Sequence, residues 1–330
     1  MLKVFPWQES QWREIMSRLQ QDRLPHALLL TGPAGIGLTH FSNCLSAKLL
    51  CQRTVANDFA CGECGPCILF QAGTQPDHIR VEAEEKGKQI KIDQIRSLIG
   101  TLYLSSQAGG YKIAVIDPAD SMNRNAANSL LKTLEEPPAD SLIILISHQP
   151  SSLLVTVRSR CQRLNFPPSN DALTLNWLEQ TTQTEPAHLH ELLVIAQGAP
   201  LKAIALLDTD TLAHQQTLLQ DLIELSKNKL DPIKLAEKWQ GFGTVEVFQY
   251  LLIVFFNMAK LKLTGTGKIT NNPEITVYLQ ELVNRLDLAQ LFACYDQTLK
   301  NYQAVTGPFN LNKQGLLEDI IIYWQSILYK

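Results

Sequence analysis

Gly32-Pro33-Ala34-Gly35-Ile36-Gly37-Leu38-Thr39 keeps the spacing of a phosphate-binding loop. In such a loop backbone N–H groups cradle phosphates, a lysine reaches the terminal phosphates and a hydroxyl holds magnesium. The lysine position is Leu38, whose isobutyl group would desolvate an anion without offering it a charge. A second apolar run ends in Asp117, placed to assist magnesium, but the next residue is Pro118. A glutamate there would polarise the attacking water, and proline carries no proton acceptor. Two of the parts that phosphoryl transfer needs are therefore replaced. Taken alone, a glycine-rich loop without lysine also fits a tight strand-to-helix turn in an unrelated fold.

The second constellation is Cys51-x9-Cys61-x2-Cys64-x2-Cys67, with Gly62 and Gly65 following two of the thiols. Glycines permit the tight turns that gather closely spaced thiolates around one tetrahedral ion, and four sulfur ligands with no open position point to structural zinc. An iron-sulfur cluster or a redox dithiol are the alternatives. Zinc would order an insertion too small to have a core of its own. Cys44, Cys161 and Cys294 stand apart, and the clustering argues against a secreted disulfide framework. The seven histidines are scattered, with no hydrolase-like grouping, and the acidic run Glu82, Glu84, Glu85 reads as a solvated face.

The elements that must hold these residues follow from hydrophobic periodicity. His26 to Thr31 reads as a strand, Leu38 to Leu50 as a helix, and Tyr111 to Asp117 and Ser141 to Ser147 as further strands without strict alternation, hence covered on both faces. Trp12, Ile15, Met16 and Leu19 mark an earlier helix, and Asn125 to Glu136 a later one stopped by Pro137-Pro138. Strands alternating with helices predict an α/β parallel sheet followed, after Pro167-Pro168, by an all-α remainder. Three parts are expected: 1–168, carrying the glycine loop and a cysteine insertion around 51–67; a small helical unit at 169–209; and a helical domain at 210–330. The small unit ends near Asp208 or Asp210. In the last domain Leu288, Leu291, Phe292, Tyr295, Leu299 and Tyr302 share one face, as do Leu317, Ile320, Ile321, Trp324 and Leu328.

With 330 residues, 45% of them hydrophobic and 18% charged, the chain is expected to fold throughout. A net charge of -3 gives no general attraction to nucleic acid. The start shows no signal-peptide pattern, and the greasiest run, Tyr250 to Phe256, is far shorter than a bilayer span. A soluble cytoplasmic protein is the expectation.

Asn128-Ser129-Leu130-Leu131-Lys132-Thr133-Leu134-Glu135-Glu136-Pro137-Pro138 resembles the signature of the bacterial DNA polymerase III clamp-loader subunits of the AAA+ family, gamma/tau and delta-prime. Ser159-Arg160-Cys161 is similar to their Ser-Arg-Cys motif, and the cysteine cluster lies between the glycine loop and the Asp117 strand. The likeness is strongest over residues 20 to 168. The ATPase members keep the loop lysine, the glutamate after the aspartate and a sensor 2 arginine. Here Leu38, Pro118 and Leu201 stand in those places, with Lys202 one position away. Three such losses resemble the delta-prime branch. The resemblance implies an AAA+ domain, a helical lid and a helical collar in a five-subunit ring with gamma/tau and delta. That ring opens the sliding clamp (beta) and places it on primed DNA, as part of the DNA polymerase III holoenzyme. It implies no ATPase in this chain and no productive ATP binding on Gly32, Gly35, Gly37 and Thr39. It implies structural zinc on Cys51, Cys61, Cys64 and Cys67. Arg160 is implied to be an arginine finger inserted into a neighbour's ATP site, where it would stabilise charge on the γ-phosphate. A surface ion pair is the plainer reading of Arg160, and Arg158 lies close by.

Two rival functions remain at this point. One is an active ATPase using Lys48 or Lys202 in place of the loop lysine. The other is a zinc-dependent nucleic-acid-binding module using the thin basic set Lys48, Arg53, Arg80, Lys86 and Lys88.

Overall fold

The computed structural model describes residues 2–53, 58–85, 88–107, 109–207, 211–227, 229–265, 273–307 and 311–328. Lys86, Asp208 and Asp210 lie outside the described residues. By contact, Met1–Leu189 with Ala196–Ile204 form one compact unit, and His190–Ile195 with Ala205–Lys330 form another.

The first unit is built on five parallel strands: β1 (Ala27–Thr31), β2 (His78–Val81), β3 (Lys112–Ile116), β4 (Ser141–Ser147) and β5 (Gln162–Asn165). Their order is β2-β3-β4-β1-β5. Leu28 sits opposite Ile144 on one side and Gln162 on the other, and Ile113 sits opposite Leu142. Every residue of β1, β3 and β4 is buried, because helices cover both faces. Side chains alternate between two cores as a period of two requires. Leu28, Leu30, Ile113, Val115, Leu142 and Ile144 pack with Trp12, Ile15 and Met16 of α1 (Glu9–Gln20) and with Phe41 and Leu45 of α2 (Leu38–Leu50).

On the opposite face lie Leu29, Ala114, Ile116, Ile143 and Leu145. They pack with Ile95 and Leu98 of α4 (Ile92–Leu102), Leu130 and Leu134 of α5 (Arg124–Glu135) and Val157 of α6 (Val155–Arg158). The short α3 (Gly65–Gln71) belongs to the cysteine segment. Asn123 caps α5 by accepting from Ala126 N at 2.8 Å. Beyond the sheet come α7 (Ala172–Thr182), α8 (Pro186–Ile195) and α9 (Pro200–Leu207).

The second unit contains α10 (Thr211–Ser226), α11 (Pro232–Gln240), α12 (Thr244–Thr264), α13 (Pro273–Arg285), α14 (Leu288–Thr306) and α15 (Lys313–Leu328). α12 corrects the reading of Tyr250 to Phe256 as a short greasy run. It is a 21-residue helix long and apolar enough to cross a membrane by length and composition. Half of its apolar window is buried, and Val247, Phe248, Leu251, Val254, Phe255 and Met258 lie in the helical core. The face assigned to α14 also needs correction. Its buried stripe is Leu291, Cys294, Thr298 and Asn301, while Phe292 is exposed. Asn301 is tolerated inside because its Nδ2 donates to Leu316 O at 3.1 Å and Asp319 Oδ2 at 2.8 Å, fastening α14 to α15. On α15, Leu317, Ile320, Ile321 and Trp324 are buried as their spacing predicts.

Asp221 is the pivot of this unit's polar interior. Its buried carboxylate accepts from Lys238 Nζ at 2.7 Å and from the indole N–H of fully buried Trp239 at 2.9 Å. Asp221→Ala strands that indole donor and is expected to cost about 2–3 kcal/mol. Urea titration followed by tryptophan fluorescence checks it, and an unshifted midpoint contradicts it.

Candidate functional site

The glycine loop joins β1 to α2, as its sequence spacing predicts. Leu38 does not reach toward a phosphate position. It is 2% exposed and packs in the core with Phe41 and Phe166. Gly35 and Gly37 adopt φ of +86° and +92°, which L side chains rarely take. Both are also closely covered. A β-carbon on Gly35 would come within 2.7 Å of Lys202 Cβ, and one on Gly37 within 2.8 Å of the Phe5 ring. The first turn of α9 thus lies on the loop, with Leu201 N donating to Gly35 O at 3.0 Å.

From the other side the N-terminal segment clasps the loop's carbonyls. Trp7 Nε1 donates to Ile36 O at 2.9 Å, and Gln8 Nε2 donates to Ile36 O and Gly37 O at 3.0 Å each. Phe5 stacks on Trp7 at 4.8 Å and meets His40 at 4.4 Å, and Trp177 packs edge-on against both Phe5 and Trp7. The loop is thus held by the chain's own side chains.

Thr39 and Asp117, which would share a magnesium ion in a working site, are bonded directly. Thr39 Oγ1 donates to Asp117 Oδ2 at 2.6 Å. The same oxygen accepts from Arg80 Nη2 at 2.9 Å, and Arg80 Nε pairs with Glu82 at 2.6 Å. A guanidinium therefore neutralises the carboxylate that would serve the metal. At the end of β4, Asp120 Oδ2 accepts from the backbone N–H groups of His148 and Gln149 at 2.9 and 3.1 Å. A ring nitrogen of His148, Nδ1, lies 3.0 Å from Gly32 O.

Lys48 stands near the end of α2, about 13 Å along the axis from Thr39 at 1.5 Å per residue. It is too far to act on phosphates held at the loop. Lys202 does lie at the loop, through its backbone and β-carbon.

Cys51, Cys61, Cys64 and Cys67 come together with their sulfurs all within 4.8 Å of one another. The Cys61–Cys67 and Cys64–Cys51 sulfur separations are both 3.9 Å. A tetrahedron with ~2.3 Å zinc–sulfur bonds has edges of about 3.8 Å, so the four donors fit that ion. Backbone N–H groups of Glu63 and Cys64 point at Cys61 Sγ from 3.4 and 3.3 Å and pull its thiol down to about 6. Burial pushes Cys67 up to about 12. The separate thiols Cys44, Cys161 and Cys294 are likewise pushed up to about 12 by burial, as inert core cysteines are.

Arg160 follows α6, and its Nε donates to Glu135 Oε1 at 2.7 Å while Nη2 pairs with the same oxygen. Nη1 donates to Thr156 O at 2.9 Å. The neighbouring Arg158 has its Nε buried with no hydrogen-bond partner. The basic set of the nucleic-acid reading is largely spoken for: Arg53 pairs with Glu63, Arg80 with Asp117 and Glu82, and Lys88 with Glu85. The acidic run Glu82, Glu84, Glu85 is exposed as expected, but ion-paired rather than simply solvated, Glu84 binding Lys91 at 2.8 Å. Sequence reasoning missed Phe5, Trp7, Trp177, His148, the Glu135 contact and the pairing of Arg80, named there only in a basic set, with Asp117. Each acts across a large sequence separation, and a local pattern carries no such signal.

Five parallel strands in this order, with a glycine loop after β1, an aspartate after β3 and a helical region beyond, make an AAA+-like fold; Leu38 and Pro118 stand in its loop and after its aspartate. The family profile described as "DNA polymerase III, delta subunit" matches residues 7–170, and its C-terminal counterpart matches 209–326. The Pseudomonas aeruginosa protein named DNA polymerase III subunit delta' is 37% identical over 328 residues, covering 99% of each chain. The Escherichia coli protein of the same name is 29% identical, over 97% of this chain and 95% of its own. A solved gamma-subunit-related protein from Thermotoga maritima aligns with a TM-score of 0.43 at 17% identity, over 97% of this chain and 99% of that one. The chain belongs to the DNA polymerase III delta-prime subunit family.

Proposed function

We propose that this chain is a non-hydrolysing subunit of the DNA polymerase III clamp loader. It assists ATP-dependent loading of the sliding clamp onto primed DNA and supplies Arg160 in trans to the ATP site of an adjacent gamma/tau subunit. Gamma/tau and delta are its partners, with the clamp and primed DNA met in the assembled complex in the cytoplasm. The sheet domain to residue 168 carries the disabled loop, 169–209 is the lid, and 210–330 joins a collar with the helices of the other subunits. Zinc on the four cysteines is structural.

The observation that carries this reading is the Thr39–Asp117–Arg80 arrangement. An internal cation takes the charge role of magnesium, while Leu38 and Pro118 supply neither phosphate contact nor base. The N-terminal aromatic clasp and α9 support it by covering the loop at Gly37 and Gly35. The family supports the assembly.

The purified chain alone is expected to turn over no ATP, and Leu38→Lys alone is expected to create no turnover, because Pro118 and the Arg80 pair remain. Hydrolysis by the isolated chain that Thr39→Ala abolishes would overturn the proposal in favour of an active ATPase.

A further inference from the structure

We propose that Glu135 is the positioning residue for Arg160, holding one edge of its guanidinium so that the opposite edge is presented to an anion on a neighbouring subunit. The inference rests on the finger reading above.

A guanidinium has two edges suited to paired acceptors, one through Nε and Nη2 and one through Nη1 and Nη2. Glu135 Oε1 occupies the first, receiving both Nε and Nη2. Thr156 O, in the α6 turn, fixes the plane by receiving Nη1 at 2.9 Å, and Ser159 Oγ lies 3.5 Å from the same nitrogen. The remaining Nη2 proton belongs to the second edge. Through that proton Arg160 can donate to an oxygen of a terminal phosphate. Arg160 keeps about a third of its side chain exposed, which suits presentation rather than burial.

Glu135 is an unfavourable choice for stability alone. It is the last residue of α5, where the helix already carries partial negative charge and a cation is preferred. Glu135 is also half exposed, so an ordinary surface ion pair would be worth little. The contact joins the signature ending α5 to the Ser-Arg-Cys motif 25 residues later. α5 and α6 therefore set the aim of the finger together.

The test uses the reconstituted loader with full-length chains under clamp and primed-DNA stimulation, and reads by single-turnover quench the maximal rate (kcat) and half-saturating ATP (KM) at the interface facing this chain. Because misplacing a catalytic group by ~1 Å can cost up to 10²-fold, Glu135→Ala is expected to lower kcat at the finger-dependent site by about tenfold with KM changed less than about twofold. Glu135→Gln, which keeps one acceptor oxygen, is expected to recover most of that loss. In an Arg160→Ala background Glu135→Ala should add no further loss, because it acts only through the arginine. The thermal midpoint of the chain should be unchanged or slightly raised. Full kcat in Glu135→Ala alongside an impaired Arg160→Ala overturns the positioning role and leaves the finger standing. An unimpaired Arg160→Ala overturns the finger and this proposal with it. An equal Glu135→Ala loss in both backgrounds, or a lowered midpoint, assigns Glu135 a role apart from Arg160 and overturns the proposal.

Discussion

Arg160→Ala is expected to slow ATP cleavage at the site facing this subunit by at least about 10²-fold, with nucleotide affinity much less affected. The size follows from what a finger does. It contributes in the transition state, where negative charge accumulates on the transferring phosphoryl group, and comparable fingers in GTPases are worth roughly 10³ to 10⁵. The lower bound follows from the partial exposure of the guanidinium, since salt screens an exposed charge. In the proposed assembly Arg160 serves one interface alone. Steady-state turnover of the whole complex should therefore fall less than single-turnover cleavage at this one interface. Arg160→Lys is expected to recover little, since an ammonium cannot satisfy the carboxylate, the Thr156 carbonyl and a phosphate in one plane. Single-turnover quench measurements on the assembled loader check this, and wild-type cleavage with Arg160→Ala would remove the arginine from the mechanism.

The parts of this molecule legible in its sequence are those governed by short-range rules. β4 spans Ser141–Ser147 and α2 spans Leu38–Leu50 just where periodicity put them, because continuous burial and a glycine turn are local signals. β2 and β5 are missed, since His78–Val81 and Gln162–Asn165 are four-residue edge strands with polar members. Their strand character comes from pairing with β3 and β1, and sequence periodicity carries no record of pairing.

The same division runs through the site. Leu38 and Pro118 are read from one short pattern each, whereas Arg80 reaches Asp117 from another strand and Phe5 reaches Gly37 from beyond α1. The exposed Phe292 shows the opposite failure. Its apolar character suggested a buried face, but the buried stripe of α14 is Leu291, Cys294, Thr298 and Asn301, of which Asn301 bonds to α15.

The cysteine segment carries the other large effect. Its own buried cluster is small: Ala47, Ala60, Cys64 and Cys67, with Leu2 and Phe70 partly covering them, and Phe59 stacks on Trp12 at 5.0 Å. Such a cluster offers little against the backbone entropy of ordering this segment, and a metal bound by the four thiols would offset it. Structural zinc in small modules is worth ~10–16 kcal/mol of apparent binding energy at neutral pH. The chain is expected to carry one zinc per molecule, and Cys64→Ala or Cys67→Ala to lose it. The loss should be local, because the sheet cores do not depend on these thiols. Limited proteolysis should then cut the segment at least ~10²-fold faster while the cooperative unfolding of the sheet changes little. Cobalt substitution should give the strong visible bands of a tetrahedral thiolate site. An iron-sulfur cluster would instead colour the untreated protein, and an unaltered proteolysis rate after chelation would show that the segment orders itself without any ion.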